Sequence, residues 1–385
     1  MVIMKGYKQT EVGVIPMDWE DLSIGECFSF KNGLNKEKHF FGQGTPIVNY
    51  MDVYKHSGVT SNDINGKVTV STQELRNYEV RKGDVFFTRT SETVEEIGIT
   101  SVILVDLFET VFSGFLLRAR PTNLKLELEY KKYCFSSSTI RKQISSSSSY
   151  TTRALTNGKL LSKIIIPIPP KLEQTAIATA LSDADALITS LEKLIEKKRA
   201  IKQGAMQELL TPKLSWKLKK LGEVLKIRHG KSQKEVEDSN GQYPILGTGG
   251  LMSYTNHFLY DKPSVLIGRK GTIDKPQFMN SPFWTVDTLF YTEINADVSP
   301  KFIYYRFLLV DWYSHNEASG VPSLNAKTIE NIEIAIPSFS EQAKIAIILS
   351  TMDAEIAAYE QKLSKYKRLK QGMMQELLTG KIRLV

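Results

Sequence analysis

The chain contains one stretch of sequence twice. Ile164 to Lys213 aligns with Ile332 to Lys381 at a single offset, without a gap, and half of the positions are identical. Pro169 and Glu173-Gln174 return as Pro337 and Glu341-Gln342. Lys202-Gln203-Gly204-Ala205-Met206-Gln207-Glu208-Leu209-Leu210-Thr211 returns as Lys370-Gln371-Gly372-Met373-Met374-Gln375-Glu376-Leu377-Leu378-Thr379. Gapless identity at this level marks a duplication rather than shared composition. A weaker echo opens each half, where Trp19, Gly25-Glu26 and Gly33 correspond to Trp216, Gly222-Glu223 and Gly230. The order is variable region, repeat, variable region, repeat. Between their matched ends the variable regions are almost unrelated, as expected for one job performed on two different targets.

The repeats read as long helices. Ile177, Leu181, Ala184, Ile188, Leu191, Ile195, Lys198, Lys202, Ala205 and Leu209 fall at alternating steps of four and three. Ile345, Leu349, Met352, Ile356, Tyr359, Leu363, Tyr366, Lys370, Met373 and Leu377 occupy the equivalent places. Heptad spacing puts an apolar seam on one helix face, as a coiled coil requires. Pro169-Pro170 and Pro337 lie just upstream, and Pro212 and Gly380 just beyond, as stop signals. Lys202 and Lys370 interrupt the seam at matched positions, a polar insertion that can fix register at some cost in stability. Each helix could pack on its own domain alone, but two equivalent seams in one chain are expected to pack on each other. An antiparallel pair of about 35–40 residues, roughly 50–60 Å long, would then hold the variable regions apart.

The variable regions look mixed. Asp84–Phe87, Thr100–Val105 and Val265–Ile267 are short strand-like runs, and Lys163–Ile168 and Asn331–Ile336 form one more before each helix. Leu126–Gln143 and Pro300–Asn316 are predicted to be helical. Their aromatic stripe (Tyr130, Tyr133, Cys134; Phe302, Tyr305, Phe307-Leu308-Leu309) reads as core rather than as a base-stacking platform. The serine run Ser145–Ser149 reads as a flexible loop. The expected fold class is α+β: two mixed α/β domains separated by two long helices in an antiparallel coiled coil, with a pseudo-two-fold internal repeat. The expected boundaries are 1–170 and 213–338 for the two domains, with 171–212 and 339–385 for the central and C-terminal helices.

Composition narrows the function. The net charge of +8 and pI near 9.1 are compatible with a polyanionic partner. Cys27 and Cys134, the two cysteines, stand far apart in no metal-like spacing and read as reduced thiols. No apolar run approaches the ~18 residues that span a membrane. The opening Met1-Val2-Ile3-Met4-Lys5-Gly6-Tyr7 turns polar too soon for a signal peptide. A cytoplasmic protein without membrane contact is expected.

Catalytic signatures are missing. Gly230-Lys231-Ser232 resembles the end of a phosphate loop, but Leu225 stands where the first glycine is needed. There is no Asn/Asp-Pro-Pro-aromatic run of the kind a DNA amino-methyltransferase carries, and no Pro-Asp dipeptide to begin a common nuclease motif. The five histidines (His39, His56, His229, His257, His315) are scattered, and no Cys-x-x-Cys occurs. The glycines of Leu246-Gly247-Thr248-Gly249-Gly250 and Gly268-Arg269-Lys270-Gly271 do not match a dinucleotide fingerprint and read as turns. No metal site and no catalytic residue is expected.

Taken together, order and motifs resemble the specificity subunit of type I restriction–modification systems over the whole chain. Glu11–Glu20 looks like that family's leader. Lys82–Arg89 and Ser264–Arg269 resemble the turn-strand-Arg segment of its recognition domains. Ile166-Pro167-Ile168-Pro169-Pro170 with Glu173-Gln174, and its second copy, resemble the starts of its conserved helices. The resemblance implies that each variable region reads one half of an asymmetric, bipartite site on double-stranded DNA, with the helix pair fixing the gap between halves. It implies two modification subunits that use S-adenosylmethionine to methylate adenine N6, and restriction subunits driven by ATP with Mg. Those cofactors would sit on the partners and none on this chain. Two equivalent frames suit two identical partners, and the helix length places the half-sites on the order of one DNA turn of ~34–36 Å apart.

Base edges are read by side chains, while Lys and Arg on phosphates supply salt-sensitive affinity. Loop-like polar positions near strand ends single out Lys31, Asn32, Lys36, Arg89, Thr90 and Arg153 in the first region. Arg228, His229, Lys231, Gln233, Arg269, Lys270 and Lys327 are their counterparts in the second. Thr90-Ser91-Glu92 follows Arg89 where Lys270-Gly271-Thr272 follows Arg269, so the two sets of loops need not align. Two other readings compete: a coiled-coil adaptor that touches no DNA, and a self-contained enzyme. The adaptor explains the helices but not the divergence of the duplicated domains.

Overall fold

The computed structural model describes residues 5–150 and 152–384; the opening Met1–Met4 lie outside them. The chain divides into two compact units, Met1–Leu191 with Lys362–Val385, and Glu192–Gln361. Both divisions fall inside a long helix. Each unit therefore combines one variable region, the first half of the helix that follows it and the second half of the other helix.

Unit one opens its frame with β1 (Glu20–Ser23), which pairs antiparallel with the strand leading into the long helix. Its main sheet contains β2 (Phe28–Asn32), and its second sheet β3 (Phe41–Val48) and β4 (Gly66–Val68). β5 (Val85–Thr88) and β6 (Thr100–Ile103) return to the main sheet. β7 (Val111–Phe112) joins the second sheet, β8 (Leu116–Pro121) the first, and β9 (Ile165–Ile168) completes the frame with β1. The main sheet runs β2-β8-β5-β6 with Gly58–Val59 at its edge, and the second runs β7-β3-β4, β3 and β7 being parallel. α1 (Lys171–Leu209) follows directly.

Unit two repeats the scheme with β10 (Lys217–Lys220), β11 (Leu225–His229), β12 (Tyr243–Gly247) and β13 (Gly250–Thr255). β14 (Ser264–Gly268), β15 (Gln277–Met279), β16 (Trp284–Thr285), β17 (Leu289–Ile294) and β18 (Glu333–Ile336) follow, then α2 (Phe339–Leu377). Its sheets run β11-β17-β14-β15 and β13-β12-β16, β12 and β16 being parallel, and β10 pairs with β18. Two regions with almost no sequence in common thus share one strand order.

The matched residues of the repeat hold each frame shut. The Trp19 indole donates to Glu173 at 2.8 Å, and the Trp216 indole to Glu341 at 3.3 Å. Gln174 accepts from the Glu127 N–H and donates to the Lys125 and Pro169 carbonyls; Gln342 accepts from the Ser299 N–H and donates to the Pro337 carbonyl. These buried side chains thereby tie the start of each long helix to backbone groups of the variable region packed on it. Gly33 and Gly230 are needed for close approach, since an added Cβ would lie 2.0 Å from the Ser113 and Val286 carbonyl oxygens respectively.

Within each unit the helix halves run antiparallel. In unit one Ile177 and Leu181 share a core with Leu377 and Leu378, and Lys370 pairs with Asp185. In unit two Met206 and Leu210 share a core with Ile345 and Leu349, and Lys202 pairs with Asp353, Lys198 with Glu355, and Arg199 with Glu360. The seam residues Ile188, Leu191, Ile195 and Ile356 are buried, while Leu209, Tyr359 and Leu363 are half-buried. The ends of the seams also enter the domain cores, so packing on the domain and packing on the other helix both occur.

Three local expectations are corrected. Leu126–Gln143 is not one helix: it consists of short 3-10 turns at Tyr130–Lys132 and Cys134–Ser136, and a helix only from Ser138 to Ser147. Ser137 is extended and caps that helix by accepting from the Ile140 N–H, which ends the preceding segment. Pro300–Asn316 likewise breaks, into a helix over Pro300–Phe307 and a 3-10 turn over Trp312–His315. The serine run is no loop: Ser145 and Ser147 finish the helix with hydroxyls bonded to the Arg141 and Ile144 carbonyls, and Ser149 begins a short strand. The aromatic stripe is core at Tyr130, Tyr133, Cys134, Phe302, Tyr305 and Phe307, but Leu308 is half-buried and Leu309 is exposed, because the helix ends at Phe307. Cys27 and Cys134 are buried free thiols, both pushed up by burial. Among the described residues no helix is long and apolar enough to cross a membrane.

Candidate nucleic-acid interface

In unit one, β5 ends at Thr88 and Arg89 leaves the sheet. The Arg89 N–H donates to the Phe115 carbonyl at 3.0 Å, and its carbonyl accepts from the Thr156 N–H at 3.1 Å. In unit two the Arg269 N–H donates to the Thr288 carbonyl at 2.8 Å, and its carbonyl accepts from the Leu324 N–H at 2.9 Å. Both arginines stand at one junction of three segments: the end of a central strand, the loop before β8 or β17, and the segment before the frame closes. The loops that follow differ in sequence, yet they start from equivalent points.

The other selected residues gather unevenly around these junctions. Asn32 ends β2 opposite Leu117, close to the end of β5, and His229 ends β11 opposite Phe290, whose ring it meets edge-on at 4.9 Å. Lys31 lies one residue back, its ammonium 5.5 Å from the Tyr78 ring centroid, and Arg228 is held by Glu293 at 2.8 Å, which raises its basicity. Thr90 and Arg153 line a cleft of about 300 Å³ with Tyr50, Glu92 and Phe115, in which Arg153 pairs with Glu92 at 2.9 Å. Arg269 also donates to the Asp287 carbonyl at 3.2 Å, and Lys270 bridges to Ser323. Lys231 is exposed and its carbonyl accepts from the Trp284 indole; Gln233 forms a turn whose carbonyl accepts from Val236 and Glu237. Lys327 lies in the short helix Ala326–Glu330, whose cap Asn325 directly follows Leu324.

Lys36 stands apart. It is bonded to Glu74 at 2.9 Å and to the Thr69 carbonyl, over the Phe40 ring, and is engaged within the fold. By contrast, Arg89, Lys231, Lys270 and Lys327 have no acidic partner among the described residues.

Lys159 and Phe115 become further candidates with the structure in hand. Lys159 corresponds to Lys327, since Asn157-Gly158-Lys159 aligns with Asn325-Ala326-Lys327 at the offset of the repeat, and Asn157 caps its turn as Asn325 does. Running the repeat back seven residues beyond Ile164 finds it. Phe115 is 60% exposed beside Arg89. It stands in an apolar run, Phe115-Leu116-Leu117, and only the fold shows which of the three faces outward.

Chemically, exposed cations beside polar strand-end loops suit a polyanion and the edges of its bases. Among the described residues no group of three or more His, Cys, Asp or Glu could hold a metal ion.

A duplicated recognition module on a scaffold of paired helices is the class this arrangement defines. The sequence profile described as "Type I restriction modification DNA specificity domain" matches residues 16–203 and 213–368, and the chain belongs to that family. The family role is DNA sequence specificity, and the adaptor reading is not supported. The chain is 25% identical to the MjaX specificity subunit of Methanocaldococcus jannaschii, covering 99% of this chain and 97% of that one. It is 23% identical to the type I restriction enzyme MjaIX specificity subunit of the same organism, over 98% and 96%. Among solved structures it is similar to the type I restriction–modification S subunit from M. genitalium, with TM-score 0.64, 19% identity, and coverage of 93% and 96%. That likeness shows the fold.

Proposed function

We propose that each unit reads one half of a split, asymmetric target on double-stranded DNA, through the loops around Arg89 in one and Arg269 in the other. The equivalence of those two junctions, inside frames whose surfaces diverge, is the observation that carries the reading. One scaffold presenting two unrelated sets of side chains reads two unrelated half-sites. α1 and α2, 39 residues each and thus about 58 Å of helix at 1.5 Å per residue, supply the gap. Two modification subunits dock on the duplicated frames and methylate adenine N6, and restriction subunits join them. S-adenosylmethionine, ATP and Mg bind those partners, and this chain catalyses nothing itself.

The test is long-read sequencing of methylated bases in a host expressing this chain with its modification subunit, against each expressed alone. A split motif with one gap, found only on co-expression, is the expected result. No new methylation from a confirmed, stable complex overturns the proposal.

A further inference from the structure

The lysines that interrupt the two seams have partners. In unit one the Tyr133 hydroxyl, from the variable region, donates to Asp185 of α1 at 2.8 Å. The other oxygen of Asp185 lies 2.5 Å from the Lys370 ammonium of α2, which also sits 5.7 Å from the Tyr133 ring centroid. Unit two repeats the arrangement. Tyr305 donates to Asp353 of α2 at 2.7 Å, and the other oxygen of Asp353 pairs with Lys202 of α1, itself 5.6 Å from the Tyr305 centroid. Both tyrosines are buried, and burial pushes their phenols up, so each stays a donor at neutral pH. Each triad thus joins a domain, its own helix and the other helix.

We infer that Tyr133–Asp185–Lys370 and Tyr305–Asp353–Lys202 are positioning residues that hold the long helices in one register and so keep the two half-sites at one gap. This rests on the split-target reading above. A seam that repeats every seven residues remains apolar after a slip of seven. Such a slip is about 10 Å of helix, or about three base pairs of DNA. The apolar side chains alone discriminate weakly against it. The triads do not: a slip brings Asp185 opposite Leu377 or Leu363, and Asp353 opposite Leu209 or Ile195. A half-buried carboxylate would then face aliphatic side chains without its lysine, and a polar residue in a seam fixes register in this way. The nearby Lys198–Glu355 pair is not duplicated, because the matching positions hold Tyr366 and Leu187.

The test is the methylation map of the full chain co-expressed with its modification subunit. One variant replaces both ion pairs by leucines (Asp185→Leu, Lys370→Leu, Asp353→Leu, Lys202→Leu), keeping the seam apolar. A milder one carries Tyr133→Phe and Tyr305→Phe. Both are expected to methylate the wild-type half-sites at additional gap lengths, with off-gap methylation raised about tenfold, as the loss of ordinary hydrogen bonds in two triads predicts. Lys198→Ala with Glu355→Ala is expected to keep the single gap. If the leucine chain fails to fold, the phenylalanine chain decides. A single wild-type gap in the folded variants overturns the inference and leaves the split-target reading standing, as does an equal spread of gaps in the Lys198/Glu355 control. No split motif from the wild type overturns both.

Discussion

The Arg383 guanidinium grips Glu173 through two hydrogen bonds, at 2.7 and 2.8 Å, and the same guanidinium meets Asp18 at 2.8 and 3.0 Å. Glu173 is fully buried at the start of α1 and also accepts from the Trp19 indole. One arginine near the end of the chain therefore neutralises a carboxylate that the frame of unit one encloses.

Arg383→Ala is expected to destabilise unit one by about 3 kcal/mol, because removing one partner leaves the other charge buried and uncompensated. Lys213→Ala, which removes the more exposed partner of Glu341, is expected to cost less than about 1 kcal/mol. Urea unfolding of both variants against wild type checks the order, and equal losses would contradict it.

The Arg383 hydrogen bond holds the Asp18 carboxyl below its ordinary value of 3.8. A folded-state pKa below the unfolded one contributes stability above the unfolded pKa, and that contribution is lost as pH falls through the folded pKa. The Asp18 part of the latch should therefore be fully present above the ordinary carboxylate value of 3.8 and be lost as the pH falls below it through the lowered folded-state value. Melting Asp18→Asn beside wild type should show a difference at pH 7 that closes in acid; a constant difference would argue against the linkage.

Glycine substitutions should divide by sign. Gly33→Ala and Gly230→Ala push a methyl to 2.0 Å from a backbone carbonyl, so backbone must move and stability should fall by several kcal/mol. Gly204→Ala and Gly372→Ala lie in the long helices with open space around them, and each should gain about 1 kcal/mol of helix stability. Thermal melts of the four single variants settle the signs.

Arg269→Ala and Arg89→Ala should each weaken specific duplex binding by the assembled complex by about 1–3 kcal/mol without unfolding the chain. Lys36→Ala should do the reverse, costing stability through its bonds to Glu74 and Thr69 while leaving binding near wild type. Binding titrations at two salt concentrations, with circular dichroism of each variant, distinguish the cases; wild-type affinity in both arginine variants would remove those loops from the interface.

Much of the architecture was legible in the linear order of residues. Gapless duplication announced two frames, heptad spacing announced two long helices, and Lys202 and Lys370 already marked matched polar breaks in the seams. These are periodic, local signals, and a helix follows directly from its own neighbours. Leu126–Gln143 was misread for the complementary reason: its apolar spacing serves the core, while extended Ser137 and the cap it provides interrupt the helix. What the linear order left open is whatever depends on residues distant in the chain. Asp185 and Asp353 are ordinary acidic residues on amphipathic helices until Lys370 and Lys202 arrive from the other repeat and tyrosines from the domains. Arg89 and Arg269 already matched as the ends of two turn-strand-Arg segments, but that both sit at a three-segment junction appears only when the Phe115 and Thr288 carbonyls, and the Thr156 and Leu324 amides, close around them. Lys36 looked free until Glu74 was brought beside it. The sequence by itself determined the two long helices, their duplication and their seams, because those follow from short-range periodicity. Tertiary structure decided which charges are spent inside the fold and which remain for a partner, because an ion pair is set by distance in space rather than by separation along the chain.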